Sequence, residues 1–349
     1  MTADYKPRAL VVCPGRGTYN KEELGYLNRR HGSRWSQLSF IDDYRNSKGK
    51  TPVHTLDSAE KYSIKTHTPG EHASALIYAC AFGDFLAIDQ QAFDLVAVTG
   101  NSMGWYIGAS VAGALAPKDA IEVIDTMGSM MADGVVGGQI IYPYVDEQWQ
   151  EIPGKKDSLL DLLSQFHGKD EQELYLSIDL GGYLVFAGNE KGLKAFEQAV
   201  PVVDERFPAR LYNHGAFHTP LMEDNSSRGF QQLSQVTFQQ PNVPLVDGRG
   251  HIWTPYSTDV AELKNYTLGH QVTEPYRFDL AVQVAVKEFA PDVIIVLGPG
   301  TTLSSSVAHN LIQLQWQGLT SKADFLARQK DDPVAVAMGF EDQAQRVTG

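Results

Sequence analysis

Hydrophobic positions along the chain fall into short, unbroken runs separated by longer stretches where apolar residues recur at helical spacing. Residues 9–13 (ALVVC) and 95–99 (LVAVT) hold almost no polar side chain, and residues 293–297 (VIIVL) hold none. Runs of this length, rich in β-branched residues and without alternation, predict strands covered on both faces. Each ends on a turn signal: Pro14-Gly15, Gly100, and Gly298-Pro299-Gly300. Residues 21–68 are polar and predict a helical excursion or long surface connection. Residues 70–88 place Ala, Leu and Phe at helical spacing and predict a buried helix. The small, apolar stretch 105–115 predicts a helix packed close under a sheet. Alternation of this kind points to a mostly parallel sheet with helices on its faces.

The middle of the chain changes character. Residues 139–145 (QIIYPYV) and 183–187 (YLVFA) read as strands, and 158–166 and 191–200 as helices. A unit of this size predicts a small α+β, ferredoxin-like subdomain over 137–211. The flanking segments 1–136 and 212–349 then form one larger body. Beyond about residue 321 the chain turns polar and reads as peripheral.

Composition narrows the function. Among 349 residues, 43% are hydrophobic and 20% charged, as in an ordinary globular protein. The balance of 29 basic against 42 acidic residues, net −13, argues against nucleic-acid or anionic-membrane partners, which require a positive field. Two cysteines, Cys13 and Cys80, support neither a disulfide framework nor a Cys-x-x-Cys metal site and fit a cytoplasmic setting. The N-terminus lacks the apolar length of a signal peptide, and no stretch approaches the roughly 18 apolar residues of a membrane span. His67 and His72 are badly spaced for one helical face, no carboxylates complete a set, and no metal is expected.

The chemistry gathers at Gly100-Asn101-Ser102-Met103-Gly104, a G-x-S-x-G pattern between a predicted strand and a predicted helix. Such a turn lifts the serine oxygen clear of the sheet, and the helix N-terminus aims amides at a developing oxyanion. A serine capping the helix is the plainer alternative. A nucleophilic serine needs a base, and ten histidines offer candidates. His218 stands in Gly215-Ala216-Phe217-His218-Thr219-Pro220-Leu221-Met222, where the chain returns from the small subdomain, but position alone does not select it.

Four blocks in order select it by resemblance. Cys13-Pro14-Gly15-Arg16-Gly17, Gly100–Gly104, Gly215–Met222 and Gly298-Pro299-Gly300 resemble the motifs of malonyl-CoA:acyl-carrier-protein transacylases and the acyltransferase domains of polyketide synthases. The resemblance implies an α/β-hydrolase-like large subdomain with a ferredoxin-like insertion and the active site between them. It implies Ser102 as nucleophile, His218 as base, and the amides of Arg16 and Met103 as oxyanion hole. It implies acyl-CoA as donor substrate, no permanently bound cofactor, and an acyl carrier protein with its phosphopantetheine arm as partner. The histidine would be oriented by a backbone carbonyl, with Arg277 the candidate within residues 271–278.

Departures from the pattern bear on the substrate. Malonyl-specific members carry an arginine where this chain has Met127. Burying a carboxylate without its partner costs roughly 3–5 kcal/mol, two to three and a half decades in rate. A neutral acyl group is therefore expected, with malonyl-CoA a poor donor. Arg16 stands where glutamine is usual; its side chain either reaches the acyl pocket or points to solvent. Asn101 and Trp105 replace a usual histidine and glutamate, Phe217 adjoins the base, and Asp179 aligns with a family asparagine; all are candidate pocket residues. Two further readings stay open: an acyl hydrolase clearing carrier proteins, and a non-catalytic carrier-protein-binding subunit.

Overall fold

A computed structural model describes residues 5–132 and 134–349. The large sheet is built on β1 (Arg8–Cys13), β2 (Asp94–Gly100), β7 (Leu245–Val246), β8 (Ile252–Trp253), β10 (Val293–Val296) and β11 (Ala335–Ala337). Its order is β11-β10-β1-β2-β7-β8, parallel throughout except for the β7–β8 pair. The unbroken apolar runs form its centre: Ala9 to Cys13 are fully buried, as a strand flanked by two neighbours and covered on both faces requires. The Gly70–Ala87 and Gly104–Val111 helices follow the predicted segments closely. Ala335–Ala337, in the tail read as peripheral, supplies an edge strand with all three residues buried.

A second sheet takes β3 (Gly138–Pro143), β4 (Leu174–Asp179), β5 (Tyr183–Gly188), β6 (Ala209–Leu211) and β9 (Tyr276–Arg277), in the order β6-β3-β5-β4-β9. Helices Lys155–Phe166 and Glu190–Ala199 complete a β-α-β-β-α-β unit with β3 to β6. The second helix starts on Asn189, whose side chain accepts the Gly192 amide at 2.9 Å, and it buries Leu193 and Phe196. Phe196 meets Phe186 of β5 with ring centroids 4.5 Å apart. The remaining strand, β9, runs parallel to β4 and comes from outside residues 137–211. We propose that the 137–211 division holds for the small subdomain, with β9 lent to its sheet by the larger body. The architecture is α/β-hydrolase-like with a ferredoxin-like subdomain. No helix of the described residues is long and apolar enough to cross a membrane.

Candidate active site

β1 and β2 run side by side, with Cys13 opposite Gly100, so the loops leaving their C-terminal ends lie together. The Asn101 amide donates to the Cys13 carbonyl at 3.1 Å. In open parallel sheets this end is where ligands bind. The turn after β2 is as tight as its glycines suggest. A Cβ on Gly100 would lie 2.2 Å from the Gly104 carbonyl oxygen, and one on Gly104 would lie 2.3 Å from that of Cys13. Between them Ser102 adopts φ 55°, a left-handed conformation costly for a residue with a side chain.

That strained turn aims the serine at His218. Ser102 Oγ lies 2.7 Å from His218 Nε2, and His218 Nδ1 lies 2.6 Å from the Gln271 carbonyl oxygen. A carbonyl only accepts, so Nδ1 carries the proton and Nε2 presents its lone pair to the serine hydroxyl. His218 is itself at φ 63° and is pinned by its amide, which donates to the Val272 carbonyl at 2.8 Å. Burial lowers its pKa to about 4, partly opposed by the Gln271 hydrogen bond and reinforced by nearby His270. The imidazole is therefore neutral at ordinary pH and able to accept a proton.

The carbonyl that orients the histidine thus belongs to Gln271; the expectation of Arg277 is corrected. Arg277 sits in β9, where its amide donates to the Gly248 carbonyl at 2.9 Å and its guanidinium pairs with Asp279 at 2.7 Å. Its backbone belongs to the β4–β9 pairing opposite Asp179. Gln271 also acts through its side chain, donating from Nε2 to the Ser102 carbonyl at 3.0 Å and accepting from the Tyr106 hydroxyl at 2.8 Å. One residue therefore fixes both halves of the pair. Tyr276 adds a second tie, its hydroxyl donating to the Gly100 carbonyl at 2.5 Å. No residue motif announces either contact.

A cavity of about 580 Å³ opens over Ser102 between the two sheets. Arg16, Asn101 and Phe217 line it. Three expected pocket residues do not. Trp105 is fully buried, its indole donating to Thr267 Oγ1 at 3.0 Å. Met127 is buried on the Pro117–Ser129 helix, facing Gly229, where a Cβ would meet its sulfur at 3.0 Å. Asp179 is buried in an ion pair with Lys156 at 2.6 Å. In each case the motif alignment gave the position on the element, and packing turned the side chain elsewhere. The backbone amides of Arg16 and Met103 bond to no carbonyl among the described residues.

No family model matches the chain. The malonyl CoA-acyl carrier protein transacylase of Bacillus subtilis (strain 168) is 24% identical over 216 residues, 60% of this chain and 62% of that protein. The matched stretch thus spans about three fifths of that relative's length. Malonyl-CoA:acyl carrier protein transacylase (FabD) of Xanthomonas oryzae pv. oryzae superposes with a TM-score of 0.75 at 17% identity, covering 97% of both chains. PlMCAT, a malonyl-transacylase solved in complex with the type II polyketide synthase acyl-carrier protein AntF, superposes at 0.72 and 15% identity, covering 98% of this chain and 99% of its own. The four sequence blocks, the curated relatives and the architecture agree: the chain resembles the malonyl-CoA:acyl-carrier-protein transacylases and polyketide synthase acyltransferases, and it has the transacylase fold.

Proposed function

We propose that this protein is a cytoplasmic acyltransferase that moves an acyl group from a CoA thioester to the phosphopantetheine thiol of an acyl carrier protein, through an ester on Ser102. The observation that carries this is the chain of contacts from Ser102 Oγ to His218 Nε2 and from Nδ1 to the Gln271 carbonyl. In the first half, His218 Nε2 takes the hydroxyl proton as Ser102 Oγ attacks the thioester carbonyl. The Arg16 and Met103 amides hold the resulting oxyanion. The C–S bond then breaks, and His218 returns the proton to the CoA sulfur. In the second half His218 takes the pantetheine thiol proton, the sulfur attacks the ester, and the serine recovers its proton. The donor is a substrate, and the protein's own groups supply the catalysis. The acyl-carrier protein held by PlMCAT in its complex supports the choice of acceptor.

The test is intact-protein mass spectrometry after brief incubation with malonyl-CoA or acetyl-CoA, followed by carrier protein. An acyl adduct that is absent in Ser102→Ala and moves to the carrier supports the reading. An adduct that decays to free acid before transfer replaces the transferase with a hydrolase. Absence of any adduct removes the acyl-serine route.

A further inference from the structure

One peptide unit, the link from Phe217 to His218, is pinned on both of its polar atoms. Its N–H donates to the Val272 carbonyl at 2.8 Å, beside the Gln271 carbonyl that orients the ring. Its carbonyl oxygen accepts from Ser177 Oγ at 2.9 Å, and Ser177 belongs to β4 of the second sheet. The plane of that peptide sets the φ of His218, 63°, and so the direction in which the imidazole leaves the chain. A left-handed backbone is costly for histidine and persists where surrounding bonds over-determine it. Gln271 thus chooses the tautomer, while Val272 and Ser177 hold the backbone that carries the ring.

Ser177 is presented by an irregularity in its strand. The register of β4 against β5 slips between Leu176 and Ile178, which leaves Ser177 as the extra residue of a β-bulge. A bulge re-aims a side chain, and here it brings a hydroxyl to the Phe217 carbonyl. Behind Ser177 stands Gln139 of β3, its Nε2 donating to Ser177 Oγ at 2.8 Å. Behind Gln139 stands His214, its Nδ1 2.9 Å from Gln139 Oε1. The direction of every bond follows from the far end. A carbonyl only accepts, so the Ser177 hydroxyl gives its one proton to Phe217 and must accept from Gln139. The Gln139 amide nitrogen then faces Ser177, its oxygen faces His214, and His214 carries its proton on Nδ1. Burial and the Arg16 charge favour the neutral form of His214. Ser177 is fully enclosed and Gln139 nearly so, yet each is satisfied, and a fully satisfied buried network is rigid. Gln139 and His214 also line the cavity, so the line of bonds runs from its wall to the backbone of the base.

We infer that Ser177 is a positioning residue for the base: backed by Gln139, it sets the backbone of His218 from the second sheet and so keeps Nε2 within reach of Ser102 Oγ. This rests on the acyl-serine reading above and gives the second sheet a part in the chemistry besides enclosing the cavity. Ser177 acts through one peptide carbonyl and not on the reacting atoms.

Labelling of Ser102 by a fluorophosphonate tests this without a CoA donor. The serine oxygen displaces fluoride from phosphorus while His218 takes the hydroxyl proton, so the rate reads the pair itself. In the whole chain, Ser177→Ala is expected to lower the second-order labelling rate by roughly ten- to a hundredfold, the scale for a small misplacement of a reacting group. The pH below which labelling falls is expected to rise from about 4 towards 6.5, because a loosened ring is better solvated. Gln139→Met leaves the Ser177 hydroxyl in place but unsupported and is expected to act in the same direction, less strongly. The double variant is expected to label no more slowly than Ser177→Ala, since both act through one bond. A folded Ser177→Ala protein that labels at the parent rate, or that slows with its pH inflection unmoved, overturns the proposal. If Ser177→Ala does not fold, Gln139→Met decides by the same two readouts. A parent protein that does not label at Ser102 removes the activated pair and the positioning role with it. A parent that labels but takes no acyl adduct in the preceding test loses the acyl-transfer reading, while the positioning of His218 stands.

Discussion

Among the described residues the partner of His218 Nδ1 is the Gln271 carbonyl rather than a carboxylate, and the surroundings explain how a lone carbonyl suffices. The ring is buried, so the neutral form is favoured without help, and Gln271 needs only to choose the tautomer. The sign of the pH dependence follows. The base works when neutral, its pKa is lowered to about 4, and the acylation step therefore needs no proton to leave the ring near neutrality. The second-order rate of Ser102 acylation should be flat from about pH 8 to about pH 5 and should fall only as pH approaches 4. Single-turnover acylation across that range checks it. An inflection near 6.5 would mean that His218 titrates as a solvated histidine. The residue scale is also where the sequence is most uneven. Ser102 is legible because a nucleophilic serine between a strand and a helix needs its own tight glycine-flanked turn, whereas His218 is marked only by the resemblance of its motif block. Gln271 is not, because any residue offers a carbonyl and only the chain's path decides which one arrives.

At the scale of elements, the strand-to-helix turn after β2 holds the site by exclusion. Gly100 and Gly104 are packed against backbone atoms rather than side chains, so nothing nearby yields by changing rotamer. Gly104→Ala should therefore destabilise the protein by about 2 kcal/mol or more and displace Ser102 from His218. Chemical denaturation together with the acylation rate measures both effects. Unchanged stability would show that the turn has slack and that its strain does not aim the nucleophile. Legibility among the elements follows length and burial. β1, β2 and β10 are covered on both faces and read as continuous apolar runs. β7 and β8 have two residues each, too few for any period to show. β11 is three small or branched residues inside a polar tail, stabilised by pairing with β10. β4 hides Ser177 and Asp179 on its buried positions because each finds a polar partner there, Ser177 with Gln139 and Phe217 and Asp179 with Lys156. Helix phase likewise decides that Trp105 and Met127 face the core, which motif spacing cannot reveal.

For the whole molecule, net charge and the proposed acceptor pull in opposite directions. On the proposed function, an acidic carrier protein would need a local positive surface near the cavity mouth of this acidic chain, since like net charges do not steer association. The basic residues of the small subdomain separate into two kinds. Lys191 pairs with Glu171, Lys194 with Glu190 at 3.4 Å, and Arg210 with Glu190 and Glu197. Arg206 lines the cavity, lies over Phe207 and pairs with no acid among the described residues, so its field is not cancelled locally. Exposed Val202 and Tyr212 flank this edge and offer apolar contact beside the charge. Arg206→Glu should lower kcat/KM for the carrier protein by about tenfold at low ionic strength, with the deficit shrinking as salt is added. Lys191→Glu exchanges one member of an exposed pair and should change it less. Transfer rates for both variants at low and high salt decide the matter. Equal effects, or an Arg206 deficit insensitive to salt, would place the carrier protein on another face and leave Arg206 with a packing role against Phe207.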